Sequence, residues 1–360
     1  MSFRRYLDSI DTYNTHITTE VYNNSGIINL SGNENAFGVS KKVIKSIRKS
    51  SVNANFYPDM NFTRLRQALA NKYDVGLNNV IIGNGSDEII SMIVRAICDK
   101  DSMILTSPIT FSMYKIYANL SRAKVLHTKS NICNVDEFID VTNTHKIDLV
   151  FVCLPNNPLG DCLDKDDIYK LLDSIPRDTF VALDCAYNEF ASYKDISKYI
   201  SPQDLIQNYD NVLYLGTFSK LYGLGGLRVG YGISSKSNIR YLGKLRSPYN
   251  ITSISENAAI AALRDIKFIN KTLKNNLSQL ARYEKFASNH NIQYIDSYAN
   301  FITLIFDDTV DSTRLCNFLS KKGILIRDLA SYKLNAIRIT VGTKYQNTKL
   351  IESIKKYLKG

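Results

Sequence analysis

The segment from Gly216 to Gly232 carries the strongest chemical signal in the sequence. It combines hydroxyl groups with one lysine, Lys220, and one arginine, Arg228, among closely spaced glycines. A lysine that only faces solvent does not require such small neighbours. A desolvated, deprotonated lysine amine is a nucleophile that attacks carbonyl carbons. The segment therefore predicts covalent chemistry at Lys220, next to groups that suit an anion.

A carboxylate follows another apolar run, in the segment Leu183–Tyr187. Asp184 stands at the end of this run. A buried carboxylate is costly unless it has a cationic or protonated neighbour, so Asp184 needs such a neighbour. A salt bridge or a helix cap would explain this residue, taken alone, as well as a ligand would.

Two further turns place polar groups where predicted strands end. In Gly83–Glu88, glycines allow a ligand to approach the backbone, and Ser86 opens a helix whose free N–H groups favour a phosphate. The third glycine of a dinucleotide-binding fingerprint and the Gly-Lys-Ser/Thr of a P-loop are missing, so this turn alone is best explained as a helix cap. The double-proline turn Leu154–Gly160 presents two carboxamides, although such turns usually have only a structural role.

The elements that must position these residues are short apolar runs that alternate with amphipathic helices. This alternation predicts an α/β fold with a mostly parallel sheet covered on both faces, in which ligands bind at the carboxyl ends of the strands. The predicted strands lie at 80–82, 103–105, 124–126, 149–154, 179–183 and 212–216, and the predicted helices among them at 86–97, 111–120 and 165–174. Two amphipathic helices also flank the turn at Tyr57.

The rest of the chain predicts a second, smaller domain, as a length of 360 residues favours. A long helical stretch at 252–288 precedes apolar runs at 292–295, 301–306, 323–326 and 337–341, with helices at 312–321 and 345–358. The expected division is an N-terminal arm over residues 1–25 that belongs to the small domain as a lid, a large domain over 26–260 and a small α+β domain over 261–360.

Composition argues against several other classes of protein. Hydrophobic residues make up 44% of the chain and charged residues 22%, as in ordinary globular proteins. The net charge of +11 is dispersed, so neither nucleic acid nor a membrane is a predicted partner. The six cysteines form no C-x-x-C pair, which disfavours a metal site and a disulfide framework. Without a signal peptide or a long apolar run, we expect a cytoplasmic protein.

Together, the side chains and backbone groups at the four strand ends predict a ligand that has a phosphate, a protonated ring nitrogen, a phenolic oxygen and an aldehyde. Pyridoxal phosphate fits this description. In their order along the chain, the four segments resemble those of the class I and II aminotransferases of fold type I, the aspartate-aminotransferase fold. Within that family they are most similar to the histidinol-phosphate aminotransferases. The resemblance covers about residues 26–345.

The resemblance implies a role for each residue around the cofactor. Lys220 would hold it as a Schiff base and carry the substrate proton, and Asp184 would keep the ring nitrogen protonated. Asn157 and Tyr187 would hydrogen-bond its phenolic oxygen, and Phe111 would stack on the ring, where most relatives have tyrosine. The residues implied at the phosphate are Ser86, Asp87, Thr217, Ser219 and Arg228, together with Tyr57 of the other subunit, so a homodimer is implied.

The resemblance also implies substrate contacts, at Asn35 and at two late arginines. Arg338 would bind the α-carboxylate of glutamate, and Arg327 the phosphate of the other substrate. The implied reaction exchanges an amino group between glutamate or 2-oxoglutarate and a small phosphorylated keto or amino compound, histidinol phosphate by default. Ala36 stands in place of the usual proline and Cys185 in place of an acidic residue. Both departures bear on the choice of substrate.

Other activities on the same scaffold stay open. One is the transamination of dihydroxyacetone phosphate to serinol phosphate for surface-polysaccharide synthesis, and another is the decarboxylation of a phosphorylated amino acid. A non-catalytic regulator fits less well, because the short arm cannot hold a helix-turn-helix module. A nicotinamide-dependent oxidoreductase would leave Lys220 without a function.

Overall fold

The computed structural model of the protein describes residues 5–10 and 26–359. The predicted arm over residues 1–25 therefore lies mostly outside the described residues, apart from a short 3-10 helix, Arg5–Ser9. Within the described ranges, no helix combines the length and the apolar character that crossing a bilayer requires.

Two sheets and one short strand pair form the framework of the fold. In chain order, the strands are β1 (Ile28–Asn29), β2 (Val80–Asn84), β3 (Met103–Thr106), β4 (Lys124–His127), β5 (Leu149–Cys153), β6 (Phe180–Asp184), β7 (Val212–Thr217), β8 (Val229–Ser234), β9 (Gln293–Tyr294), β10 (Phe301–Ile305), β11 (Ile324–Leu325), β12 (Arg327–Asp328) and β13 (Ala336–Thr340). The larger sheet has the order β2-β8-β7-β6-β5-β3-β4. Strand β8 runs antiparallel to both of its neighbours, and the other strands of this sheet run parallel to one another.

Helices cover both faces of the larger sheet and one face of the smaller. They are α1 (Lys41–Ser51), α2 (Thr63–Tyr73), α3 (Gly85–Ile97), α4 (Met113–Ser121), α5 (Val135–Thr144), α6 (Lys165–Ser174), α7 (Asn188–Lys194), α8 (Pro202–Asn208), α9 (Lys236–Gly243), α10 (Ser253–Leu263), α11 (Ile266–Ser288), α12 (Ser312–Lys321) and α13 (Lys344–Tyr357). Local signals set several of these bounds. A capping box of Asp164 and Asp167 begins α6, and one of Thr343 and Gln346 begins α13.

The larger sheet is buried on both faces, as the predicted parallel sheet requires. All five residues of β5 and all six of β7 are buried. Separate hydrophobic clusters lie on the two faces. The continuous apolar runs of these strands therefore follow from their burial, since neither face of a central strand meets solvent. The mostly parallel α/β fold predicted from the sequence is confirmed.

The structure differs from the predicted elements in several places, since the helices α5, α7, α8 and α9 and the strand β8 were not predicted and one predicted helix is divided. The stretch 252–288 is two helices, α10 and α11, because the side chain of Asp265 accepts the backbone N–H of Phe268 and caps the second. Strand β8 was not predicted. Its glycines weaken the strand pattern, yet Gly216 of β7 and Tyr231 of β8 pair directly, and a Cβ on Gly216 would lie 2.2 Å from the Tyr231 ring.

The smaller sheet has the order β12-β13-β10-β9 and its own hydrophobic cluster. Strand β1 lies within the range predicted for the large domain but pairs in parallel with β11. Packing changes within α11, because Leu273 belongs to a cluster of the larger sheet and Leu280 to that of the smaller. The domain boundary at 260 and 261 stays a prediction.

Candidate active site

A pocket of about 1000 Å³ opens where β5, β6 and β7 end. Because these strands are parallel neighbours, their last residues meet at one edge of the sheet. Every predicted site residue except Tyr57 and Asn35 lines this pocket, namely Ser86, Asp87, Phe111, Asn157, Asp184, Tyr187, Thr217, Ser219, Lys220, Arg228, Arg327 and Arg338. The structure thus brings together side chains that are up to 252 positions apart, from residue 86 to residue 338.

The amine of Lys220 is placed in the pocket by the turn that follows β7. Its Nζ donates a hydrogen bond to the carbonyl of Gly32 at 3.3 Å and lies 5.8 Å from the centre of the Tyr187 ring. Burial lowers the pKa of Lys220 to about 8, and the positive charge of Arg338 acts in the same direction. A substantial fraction of this amine is therefore neutral near physiological pH, and a neutral amine is nucleophilic.

Asp184 is the buried anionic group of the pocket. Its Oδ2 accepts the hydroxyl of Tyr114 at 2.7 Å, and its Oδ1 accepts the N–H of Ala186 at 3.2 Å. Burial raises the pKa of Asp184, while these two hydrogen bonds and the charge of Lys220 oppose that rise. The carboxylate is thus held in one orientation, and among the described residues no arginine or lysine forms an ion pair with it. A cationic ligand group beside it would lower its electrostatic cost.

Four groups at one end of the pocket can hold an anion. The helix α3 begins at Gly85 and points the free N–H groups of Ser86 and the next residue toward the pocket. Opposite them, the hydroxyls of Thr217 and Ser219 lie 3.1 Å apart. The guanidinium of Arg228 lies at the same place, with Nη1 donating to Ser219 Oγ at 3.5 Å. Backbone dipoles, hydroxyls and a full positive charge together suit a phosphate.

Glycines let the backbone close around this anion site. A Cβ on Gly85, whose φ is +75°, would lie 2.4 Å from Nη2 of Arg228. A Cβ on Gly230 would lie 2.1 Å from the backbone nitrogen of Ser86, and no side-chain movement could relieve that contact. The glycine-rich sequence is therefore required here because β8, α3 and the arginine approach one another so closely.

The two late arginines lie opposite each other on neighbouring strands of the smaller sheet. Arg327 of β12 and Arg338 of β13 are direct partners in the antiparallel register, so their side chains project from the same face. Arg338 is only 9% exposed, and it donates to Asn157 Oδ1 at 2.5 Å and to the carbonyl of Ser31 at 2.6 Å. The pair gives the pocket a second cationic end.

Two predicted site residues do not line the pocket. The carboxamide of Asn35 donates to the carbonyls of Leu221 at 2.8 Å and of Lys220 at 3.4 Å, and therefore holds the lysine turn from outside. Tyr57 is 81% exposed and stacks on Tyr249, with ring centres 4.6 Å apart. Its predicted reach into the site of another subunit stays a prediction.

Three further polar side chains at the site were not identified from the sequence. Tyr114 holds Asp184, Tyr117 donates to Asp87 Oδ2 at 2.9 Å, and Asn33 donates to the hydroxyl of Tyr187 at 2.9 Å. Each lies close in sequence to a residue that was predicted for the site: Asn33 to Asn35, and Tyr114 and Tyr117 to Phe111. Only helical spacing places Tyr114 one turn beyond Phe111, so the signal was local and weak.

The fold and the pocket together are those of an aminotransferase of fold type I. The family model described as aminotransferase class I and II matches residues 25–354. The chain therefore belongs to the class I and II aminotransferase family, as the sequence motifs indicated.

Two relatives of similar length are histidinol-phosphate aminotransferases. The histidinol-phosphate aminotransferase of Campylobacter lari is 47% identical over 362 residues, covering 99% of each chain. That of Campylobacter jejuni subsp. jejuni is 46% identical over 365 residues, covering 100% of each. Among solved structures, histidinol-phosphate aminotransferase from Sinorhizobium meliloti in complex with pyridoxal-5'-phosphate has a TM-score of 0.90 at 23% identity, covering 99% of this chain and 98% of that one.

The buried amine should leave a measurable signature on stability. The pKa of Lys220 is lowered from 10.5 to about 8 by folding, so between these pH values the unfolded chain binds more protons than the folded chain. The contribution of Lys220 to the free energy of unfolding of the cofactor-free protein should therefore rise with pH across this window. In Lys220→Met this contribution is lost, and the stability advantage of the variant should shrink as pH increases from 8 to 10.5.

Urea unfolding at a series of pH values measures this difference. The exposed Lys115, which lies outside the pocket, provides the matched control as Lys115→Met. A Lys220→Met variant whose stability runs parallel to that of the parent protein across the window would contradict the lowered pKa.

Proposed function

We propose that the protein is a pyridoxal-phosphate-dependent aminotransferase that exchanges an amino group between glutamate or 2-oxoglutarate and histidinol phosphate. The observation that carries this proposal is the placement of a buried lysine amine with a pKa of about 8 and a buried carboxylate, Asp184, in one pocket between two cationic ends. The full-length relatives that are 46% and 47% identical support the choice of histidinol phosphate.

The residues present fit pyridoxal phosphate. Ser86, Thr217, Ser219 and Arg228 supply donors for its phosphate, and the absent side chains of Gly85 and Gly230 leave the close approach that this site needs. Asp184 is a buried acceptor with no contacting cation of its own, which suits a protonated ring nitrogen. When bound, the cofactor supplies an aldehyde for the amine and an electron sink for the reacting carbon.

Side chains of this chain would perform the remaining tasks. Lys220 would attach the cofactor through its Nζ and, once displaced by the substrate amine, move a proton between the substrate and the cofactor as a general base. Tyr114 would keep the Asp184 carboxylate oriented toward the ring nitrogen, since its hydroxyl occupies one oxygen at 2.7 Å. Tyr187 and Asn157 would bind the phenolic oxygen, and both line the pocket.

The cationic end formed by Arg327 and Arg338 supports an anionic substrate. Glutamate carries two carboxylates, and histidinol phosphate carries a phosphate but no carboxylate. Arg338 is held rigidly by Asn157 and Ser31 and suits the planar α-carboxylate. Arg327 would take the phosphate. The two arginines on one face would thus bind the anionic groups of both substrates, a carboxylate in one half-reaction and a phosphate in the other.

The first test is the glutamate half-reaction. The purified protein reconstituted with pyridoxal phosphate should show a visible absorption band that glutamate bleaches and a keto acid restores. Lys220→Ala should lower turnover by about a hundredfold to ten-thousandfold, because a positioned general base contributes that much. The exposed Lys244 gives the control, Lys244→Ala, which should retain full turnover. A band that ignores glutamate would refute the proposal.

The second test concerns the phosphorylated substrate. Histidinol phosphate should be transaminated in preference to serinol phosphate, and phosphothreonine should release no carbon dioxide. Arg327→Gln should raise KM for histidinol phosphate by about tenfold or more, the loss expected for a charge-assisted hydrogen bond. The rate of the glutamate half-reaction should change little. Arg314→Gln, on the exposed face of α12, is the control. Carbon dioxide release from phosphothreonine would instead identify a decarboxylase.

We further propose a homodimer in which Tyr57 reaches the phosphate end of the other subunit's pocket. Tyr57 lies beside other large exposed apolar side chains, Phe56 (66% exposed) and Met60 (48% exposed), in a loop at the surface. Such a patch favours coverage by another protein surface. A second copy of the chain would bury this patch and would place its pocket's phosphate end within reach of the Tyr57 hydroxyl.

Light scattering measures the assembly directly. We expect a molar mass twice that of one chain. Tyr57→Phe should weaken the affinity for pyridoxal phosphate, because one hydrogen bond to the phosphate is lost, whereas the half-exposed Tyr199 as Tyr199→Phe should not. A monomer that binds the cofactor as tightly with Tyr57→Phe as without it would overturn the dimer proposal.

A further inference from the structure

A polar cluster lies behind the pocket and contributes no atom to its lining. Lys72, Glu189 and Tyr222 form a closed triangle of contacts, which we name the Lys72–Glu189–Tyr222 triad. Nζ of Lys72 donates to Glu189 Oε1 at 2.9 Å and to the Tyr222 hydroxyl at 2.6 Å. The Tyr222 hydroxyl donates to the same Glu189 oxygen at 2.8 Å. Each member therefore contacts both of the others.

The triad joins two helices, α2 and α7, to the turn that carries Lys220. Lys72 lies in the last turn of α2. Glu189 lies in the first turn of α7, whose N-cap residue is Tyr187. Tyr222 comes two residues after Lys220, in the turn that Asn35 holds from the opposite side through the carbonyl of Leu221. The triad thus connects the turn that carries Lys220 to helix α7, whose N-cap residue is Tyr187.

The triad combines a buried hydroxyl, that of Tyr222, with a partly exposed ion pair. The Tyr222 side chain is 2% exposed, and those of Lys72 and Glu189 are 30% and 21% exposed. An ion pair in such a position costs desolvation that apolar side chains of similar size would avoid. Aromatic rings lie next to the ion pair. Nζ of Lys72 lies 4.7 Å from the centre of the Tyr73 ring, and the hydroxyls of Tyr73 and Tyr231 are hydrogen-bonded to each other.

The charge of the lysine in the triad is stabilised by its partners. Burial alone would lower the pKa of Lys72, but Glu189, Tyr222 and Tyr231 together outweigh this effect, and the pKa lies well above its ordinary value. Burial and the charge of Glu189 both raise the pKa of Tyr222. The lysine therefore stays cationic, the tyrosine stays a neutral donor, and the arrangement holds its geometry over the whole range in which enzymes work.

We propose that the Lys72–Glu189–Tyr222 triad positions Lys220 against Tyr187 for proton transfer. None of its members touches the reacting atoms, so they are positioning residues. The proposal rests on the proposed function, because it assigns the triad to the lysine of that reaction. Reacting groups must be held to within about half an ångström, and a displacement of about 1 Å costs about a hundredfold in rate.

Loosening the triad should change the environment of Lys220 before it changes the fold. Tyr222→Phe removes the hydroxyl that ties the turn to Lys72 and Glu189 but keeps the buried ring, which packs on Phe218 with centres 5.0 Å apart. The freed turn should admit water to Lys220. Burial is the main cause of its lowered pKa, and Arg338 and Arg228 lower it further while Glu34 and Asp184 raise it. Better solvation should therefore raise that pKa.

The first measurement uses the cofactor-free protein and requires no activity. The rate of reductive methylation of Lys220 by formaldehyde, followed by mass spectrometry against pH, reports the fraction of neutral amine. The midpoint should lie near 8 in the parent protein and about half a unit or more higher in Tyr222→Phe, as expected for a less desolvated lysine. Glu189→Gln should shift it in the same direction. Tyr209→Phe is the matched control, because Tyr209 is a buried tyrosine that donates to Asp173 at 2.8 Å outside the pocket.

The second measurement uses the holoenzyme with glutamate and glutamate deuterated at the α-carbon. In Tyr222→Phe we expect kcat about tenfold lower, KM for glutamate within about twofold, and a larger isotope effect on kcat, since a misplaced base makes proton transfer more rate-limiting. A fall in kcat with an unchanged isotope effect and an unchanged methylation midpoint reflects loss of folded protein and overturns the proposal. Unchanged values of all three also overturn it. If the parent protein fails to react with glutamate, the proposed function is wrong. The positioning role is tested separately, because an unshifted midpoint of Lys220 methylation in both Tyr222→Phe and Glu189→Gln rejects it.

Discussion

The structure depends on keeping one lysine amine, that of Lys220, partly buried and with a lowered pKa within an otherwise charged pocket. Desolvation disfavours the ammonium form of Lys220, and the guanidinium of Arg338 adds to that effect. The carboxylate of Asp184 is buried as well. Its burial would cost more free energy without the hydrogen bonds from the Tyr114 hydroxyl and the N–H of Ala186. A lysine and an aspartate with low solvent exposure in one site would normally neutralise each other through a salt bridge. Here they are held apart, which leaves both available to a ligand.

That separation is possible because different strands carry the two groups. Asp184 ends β6, whereas Lys220 lies three residues beyond the end of β7, where the chain has already turned. Thr217 and Ser219 on the same turn face the N-terminus of α3. Close packing of glycines then brings Arg228 and the helix to the same anion site. Residues that sequence order spreads over three segments thus become one site through the order of the strands in the sheet.

The smaller sheet supplies the cationic end of the pocket that Arg327 and Arg338 form, and it is joined to the larger part by polar contacts. Arg338 reaches across to Asn157, and Thr303 donates to the carbonyl of Pro158 at 2.6 Å. The backbone of Tyr298 donates to that of Gly160 at 2.9 Å. Three groups of the later part of the chain therefore fix the turn that presents Asn157. The contacts that position the Asn157 carboxamide therefore also position the Arg338 guanidinium.

The sequence by itself determined the chemistry and the class of fold. Helices at 165–174 and 312–321 were predicted with the bounds that they have, because cap residues and apolar periodicity are local signals. Lys220 and Asp184 could be recognised because their types are unusual at the ends of apolar strands. Local sequence could not show the break before α11, strand β8 among its glycines, or the turning of Asn35 away from the pocket. It also could not pair Tyr114 with Asp184 or bring Lys72, Glu189 and Tyr222 together, since such contacts join segments far apart in the chain and exist only when the sheet has formed.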